Sequence, residues 1–120
     1  MTWITLPATP NRLQDGNAQW YKKAMDVQEF RSSLTGELPP GGLPVPLAAL
    51  WWDAKGDWET AHNLVDELET TEGMAVHAYL HRKAGAASNA DYWYERAGRK
   101  YYREDFEAEW EALIEGLPGK

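Results

Sequence analysis

From Asn17 onward the apolar positions of the chain recur at steps of three and four. Trp20, Ala24, Val27, Phe30 or Arg31, and Leu34 share one face at the spacing of an amphipathic helix. That spacing predicts a helix over 17–35, with Asn17 suited to cap it. Residues 1–16 carry Pro7, Pro10 and the pair Asp15-Gly16 and read as an irregular arm. Gly36 ends the first helix, and GELPPGGLPVP, residues 36–46, is a loop of turn formers. Pro44 or Pro46 fits the first turn of the next helix, where a missing N–H costs nothing. Four shorter helical segments follow, at about 44–55, 57–69, 72–84 and 87–98. Gly56 and Gly85 separate the members of each pair. Asp57, Ser88 and either Thr70 or Thr71 suit N-cap positions. The stretch RAGRKYYRED, residues 96–105, breaks the pattern. A last helix over 103–117 sets Phe106, Trp110, Leu113, Ile114 and Leu117 against a polar side that includes Glu104, Glu107, Glu109 and Glu111. No strand-like alternation of useful length occurs. The pattern predicts an all-α fold, an antiparallel array of about six helices in a single domain.

The middle of the chain repeats itself. Aligned on Gly56 and Gly85, 29 residues apart, Ala49 matches Ala78, Ala61 matches Ala90, and Val65 matches Tyr94. Small residues recur where helices must approach closely, and large ones recur where the gap is filled. Ala49, Trp52, Gly56, Ala61 and Val65, followed by Ala78, His81, Gly85, Ala90 and Tyr94, resemble tetratricopeptide repeats over residues 43–98. The resemblance implies two helical hairpins flanked by capping helices. It also implies a concave surface formed by the first helix of each unit. The spacing is shorter than the usual 34 residues, and no proline closes either unit. The segments HAYLHRKAG and NADYWYERAG also resemble small bacterial helical proteins, a likeness that supplies no activity.

Composition narrows the function classes. The chain of 120 residues has no cysteine, which removes disulfides, thiolate metal sites and a cysteine nucleophile. The net charge of −7 opposes nucleic-acid binding, which needs clustered cations. No segment is apolar enough to span a membrane, and the first residues do not form a signal peptide. A cytoplasmic protein is expected. Seven tryptophans beside incomplete repeat capping point to a homodimer built on aromatic residues of the terminal helices.

The candidate chemistry lies inside the repeat. His77 and His81 are four residues apart and share a helix face. If 57–69 and 72–84 form a hairpin turning near residues 70–71, His62 lies level with Tyr79, between His77 and His81. Three imidazoles then converge as a metal or small-ligand pocket, with a divalent metal as the possible cofactor and Asp91 or Glu95 as the orienting acceptor. The competing reading is a set of core histidines beside Tyr94 and Asp91. The segment HAYLH lacks the glutamate of a zinc-protease motif.

A second candidate follows from the tetratricopeptide resemblance. It places Leu50, Asp53, Glu72, Tyr79, Arg82 and Lys83 on the concave face, a mixture suited to a peptide or polar ligand. Arg96, Arg99, Lys100 and Arg103 read as a solvated turn that pairs with the glutamates of the last helix. No phosphate-binding glycine loop or nucleophilic serine motif is present, so the sequence leans away from an enzyme. The leading expectation is a binding or scaffold module for a protein or peptide partner. The alternative is a small-molecule or metal-binding protein, or an enzyme of that kind, centred on His62, His77 and His81.

Overall fold

Gly56 and Gly85 hold φ angles of 90° and 84°, left-handed conformations that a side chain disfavours. The computed structural model describes residues 26–117, and in it these glycines turn two helical hairpins in the same way. Helix α2 (Val45–Ala54) reverses into α3 (Trp58–Val65), and α4 (Thr71–Lys83) reverses into α5 (Ala87–Arg96). At the first turn the Gly56 N–H donates to the Asp53 carbonyl and the Asp57 N–H to that of Trp52, both at 2.9 Å. At the second, Gly85 donates to Arg82 at 3.0 Å and Ala86 to His81 at 2.9 Å. This paired closure satisfies carbonyls that a helix end otherwise leaves open. Flanking helices α1 (Val27–Ser33) and α6 (Phe106–Gly116) complete an all-α fold with no strand among the described residues.

The helix starts follow local chemistry. The Asp57 carboxylate accepts from the Thr60 N–H at 3.1 Å, and the Thr70 hydroxyl accepts from the Gly73 N–H at 3.0 Å. Pro44 caps α2 and Pro46 lies in its first turn. Ser88 is not a cap. The hairpin register puts the cap one residue after the glycine, at Asp57 in one unit and at Ala86 in the other. Within the segment expected as a helix over 17–35, α1 begins after Asp26, which is extended and accepts from the Gln28 N–H at 3.0 Å. Asn17, Trp20, Ala24 and the arm over 1–16 lie outside the described residues.

Ala49, Ala61, Ala78 and Ala90 are all buried, so the helices of each hairpin meet at small side chains. Trp51, Leu47, Leu50, Leu80, Val65 and Val76 fill the adjoining core. Helix α6 adds Trp110, Leu113 and Ile114, the residue after it adds Leu117, and Phe30 of α1 meets Trp110 edge-on at 5.5 Å. Two expectations for α6 fail. Phe106 is exposed, and Glu109 is buried at 2 % exposure. Glu109 accepts from the Tyr94 hydroxyl at 2.6 Å and from Arg82 at 2.7 Å, which anchors α6 to α4 and α5. Burial pushes its carboxyl upward in pKa, against the lowering effect of those two bonds. Glu107 and Glu111 pair with Arg31 of α1. The glutamates of the last helix therefore take cations from α1 and α4. The expected pairing with the basic turn is not made, and Arg103 of that turn pairs with Asp91 at 3.3 Å. None of the described helices is long and apolar enough to cross a membrane.

The buried alanines give a stability test. Ala61→Leu and Ala90→Leu should each lower stability by roughly 1–3 kcal/mol through overpacking. Thermal unfolding of the two variants checks this, and unchanged melting temperatures in both would show that the hairpins do not depend on these close approaches.

Candidate metal centre

Helices α3 and α4 lie antiparallel, joined by residues 66–70, and this places His62 opposite the pair His77 and His81. Imidazole centroids are 4.8 Å apart for His62 and His77, 5.0 Å for His62 and His81, and 4.8 Å for His77 and His81. Nε2 of His62 lies 3.1 Å from Nε2 of His77. One ring nitrogen from each of the three histidines falls within 4.8 Å of the others.

Two tryptophans wall the cluster. Trp58, one turn before His62 on α3, stacks on that imidazole at 4.8 Å and 6°. It meets His81 edge-on at 6.0 Å. Its indole N–H donates to the Leu80 carbonyl at 2.8 Å, which fixes the ring against α4. On the other side Trp93 of α5 stacks on His77 at 4.1 Å and 22°. Asp66, one turn after His62, brings Oδ1 to 3.7 Å from Nε2 of His62 and 4.0 Å from Nε2 of His77.

His77 is only 2 % exposed. Burial, reinforced by His81 and His62 and opposed by Asp66, lowers its pKa from 6.5 to about 4. His81 is lowered as well, first by burial and then by His62. Its neighbours therefore face a neutral imidazole at His77, with a lone pair on one ring nitrogen. Nδ1 of His77 is the one buried side-chain polar atom without a hydrogen-bond partner among the described residues. Neutral imidazole is the form that binds metals.

The chain matches no protein-family model, no curated protein and no solved structure.

The other predicted site residues do not join the histidines. The Asp53 carboxylate is buried and accepts from Lys83 at 2.9 Å and from the Tyr79 hydroxyl at 3.3 Å. Burial, then Asp53, hold the Tyr79 phenol above its ordinary pKa. Asp53, Tyr79 and Lys83 open on a cavity of about 290 Å³ that also meets Arg31, Glu107 and Trp110. Arg82 is taken up by Glu109 and by the Glu104 carbonyl. Leu50 is buried, and its carbonyl accepts from the Trp110 indole at 3.3 Å. Helix α6 thus covers much of the face expected to be a groove.

The expected orienting acceptors are engaged elsewhere, Asp91 by Arg103 and Glu95 by Tyr101. Tyr94 does not flank the histidines, because its hydroxyl turns to Glu109, and Trp93 takes that place. Sequence reasoning missed Trp58, Asp66 and Trp93. The first two were within reach, since each is four residues from His62 and so shares its helix face. Trp93 comes from α5 and carries no such local signal.

The buried imidazole makes stability depend on pH. The unfolded chain protonates His77 near pH 6.5, while the folded chain does so only near 4. Folding is therefore penalised progressively as pH falls from 6.5 toward 4, by up to about 3 kcal/mol from this residue, and not above 6.5. Urea denaturation between pH 7 and 4.5 should show this loss in the native chain, with a shallower loss in His77→Asn. Equal slopes for the two proteins would contradict it.

Proposed function

We propose that this chain binds a divalent transition-metal ion through His62, His77 and His81. The observation that carries the reading is the approach of three ring nitrogens, from two adjacent helices, to within 4.8 Å of one another. An ion about 2.1 Å from each nitrogen needs separations near 3.4 Å in a tetrahedral site. The His62–His77 distance of 3.1 Å already lies close to that value. The widest pair must close by on the order of 1 Å, which modest side-chain rotation accommodates. The lowered pKa of the His77 imidazole, which keeps it neutral, also favours a ligand role. A set of imidazoles without thiolate suits zinc, nickel, copper or iron in the divalent state.

A second reading keeps the tetratricopeptide-like surface and a protein or peptide partner, with a homodimer among the possibilities. It draws on the polar cavity at Asp53, Tyr79 and Lys83, whose mixed charge suits a polar segment. The cover of α6 over Leu50 and Arg82 shortens any such groove, so the metal reading takes precedence.

Metal-free protein titrated with Zn²⁺, followed by calorimetry, should take up one equivalent. Cu²⁺ should quench tryptophan fluorescence at the same stoichiometry, since Trp58 and Trp93 lie against the imidazoles. His62→Ala and His77→Ala should each weaken uptake by at least roughly 100-fold, with helical content by circular dichroism retained. No uptake by the native chain at micromolar ion, or unaltered uptake when both histidines are replaced, would overturn the proposal.

A further inference from the structure

We infer that Asp66 is a ligand of this centre, which makes its primary set two imidazoles and one carboxylate, with His81 as the fourth donor. This rests on the metal-binding reading above and adds a residue that a histidine-only site does not contain. Nε2 of His62, Nε2 of His77 and Oδ1 of Asp66 form a triangle with edges of 3.1, 3.7 and 4.0 Å. A circle through three points at those separations has a radius of about 2.1 Å, the length of a zinc–imidazole or zinc–carboxylate bond, about 2.0–2.2 Å. One point in space is thus already at bonding distance from all three atoms. The set of three histidines must contract to reach the same condition, because its atoms extend to 4.8 Å.

The backbone supports this placement. His62 and Asp66 stand one turn apart at the end of α3, and Asp66 is the residue that caps that helix. His77 enters from the centre of α4, where its neighbours on both sides are buried and the ring itself is 2 % exposed. The carboxylate also answers an electrostatic need. A dication among neutral imidazoles and two indole walls is poorly solvated unless an anion joins it. Among the described residues Asp66 pairs with no lysine or arginine, only with the two histidines. Its carboxylate is half-exposed whereas His77 is buried, so the ion is reached from the Asp66 side. Two imidazoles with one carboxylate suit divalent ions of the zinc and iron(II) kind, and disfavour the soft cuprous ion, which does not seek oxygen donors.

The experiment compares native protein with Asp66→Asn and Asp66→Ala in titrations with Zn²⁺ and, under reducing anaerobic conditions, with Cu⁺. The inference predicts that both substitutions weaken Zn²⁺ by tenfold or more, and weaken Cu⁺ by less than threefold. Metal-free thermal stability at pH 7 should hardly change, because Asp66 is at the surface. Co²⁺ loaded into the native chain and into Asp66→Ala should give different visible absorption, since a carboxylate has left the coordination sphere. If the native chain binds Zn²⁺ through its histidines and Asp66→Ala binds it equally well with the same cobalt spectrum, the inference is overturned and the three-histidine site stands. Equal weakening of Zn²⁺ and Cu⁺ also overturns it, because that pattern marks a general disturbance of the histidines. Failure of the native chain to bind either ion removes both readings at once.

Discussion

Everything at the centre of this molecule depends on His77 staying uncharged inside the fold. Helix α4 is buried along eight consecutive residues, from Gly73 to Leu80, with His77 among them. Trp93 closes one side of the ring, and His62 and His81 crowd it from others. A proton on this imidazole meets both desolvation and the repulsion of its neighbours, which is why its pKa lies near 4. The same enclosure leaves Nδ1 unmatched, a cost on the order of 1–3 kcal/mol that the surrounding packing must offset. Such an arrangement keeps nitrogen lone pairs available at neutral pH, close together and walled by indoles.

The rest of the fold handles buried polarity differently. Asp53 and Glu109 are both buried carboxylates, and each has a cation and a phenol. Asp53 takes Lys83 and Tyr79, while Glu109 takes Arg82 and Tyr94. Breaking either set strands a charge in a low-dielectric interior, so these groups hold α2, α4, α5 and α6 in register. The two hairpins then present α3 to α4 at a fixed distance. Against this background of satisfied groups the histidine cluster stands apart as the place where donors and acceptors do not match among themselves.

Much of this was legible in the sequence because it follows from short-range rules. Gly56 and Gly85 mark turns that only a left-handed residue closes, and Asp57 and Thr70 cap the helices that follow. Ala49, Ala61, Ala78 and Ala90 mark close approaches by their size and spacing. The meeting of His62 with His77 and His81 follows from hairpin counting, since an antiparallel pair fixes which residues face each other. What escaped is set by distant partners. Glu109 reads as a solvated position on α6 until Arg82 and Tyr94, on other helices, bring it inside. The expected groove is shortened at Leu50 and Arg82 by the same helix. Ser88 misleads because the turn geometry, not cap chemistry, decides where α5 begins. Trp93 and Tyr94 are adjacent in sequence yet face different clusters, and only the rotation of α5 decides which of them meets His77.

The central claim is that these side chains form a site for a metal ion. X-ray absorption at the zinc edge, on protein loaded with one equivalent of Zn²⁺, tests it most directly. The account predicts a first shell of nitrogen and oxygen atoms at about 2.0–2.1 Å, with the outer-shell scattering of at least two imidazoles. That imidazole signature should vanish when His62 and His77 are both replaced by alanine. A shell of water oxygens alone, or a spectrum that the double replacement leaves unchanged, contradicts the account.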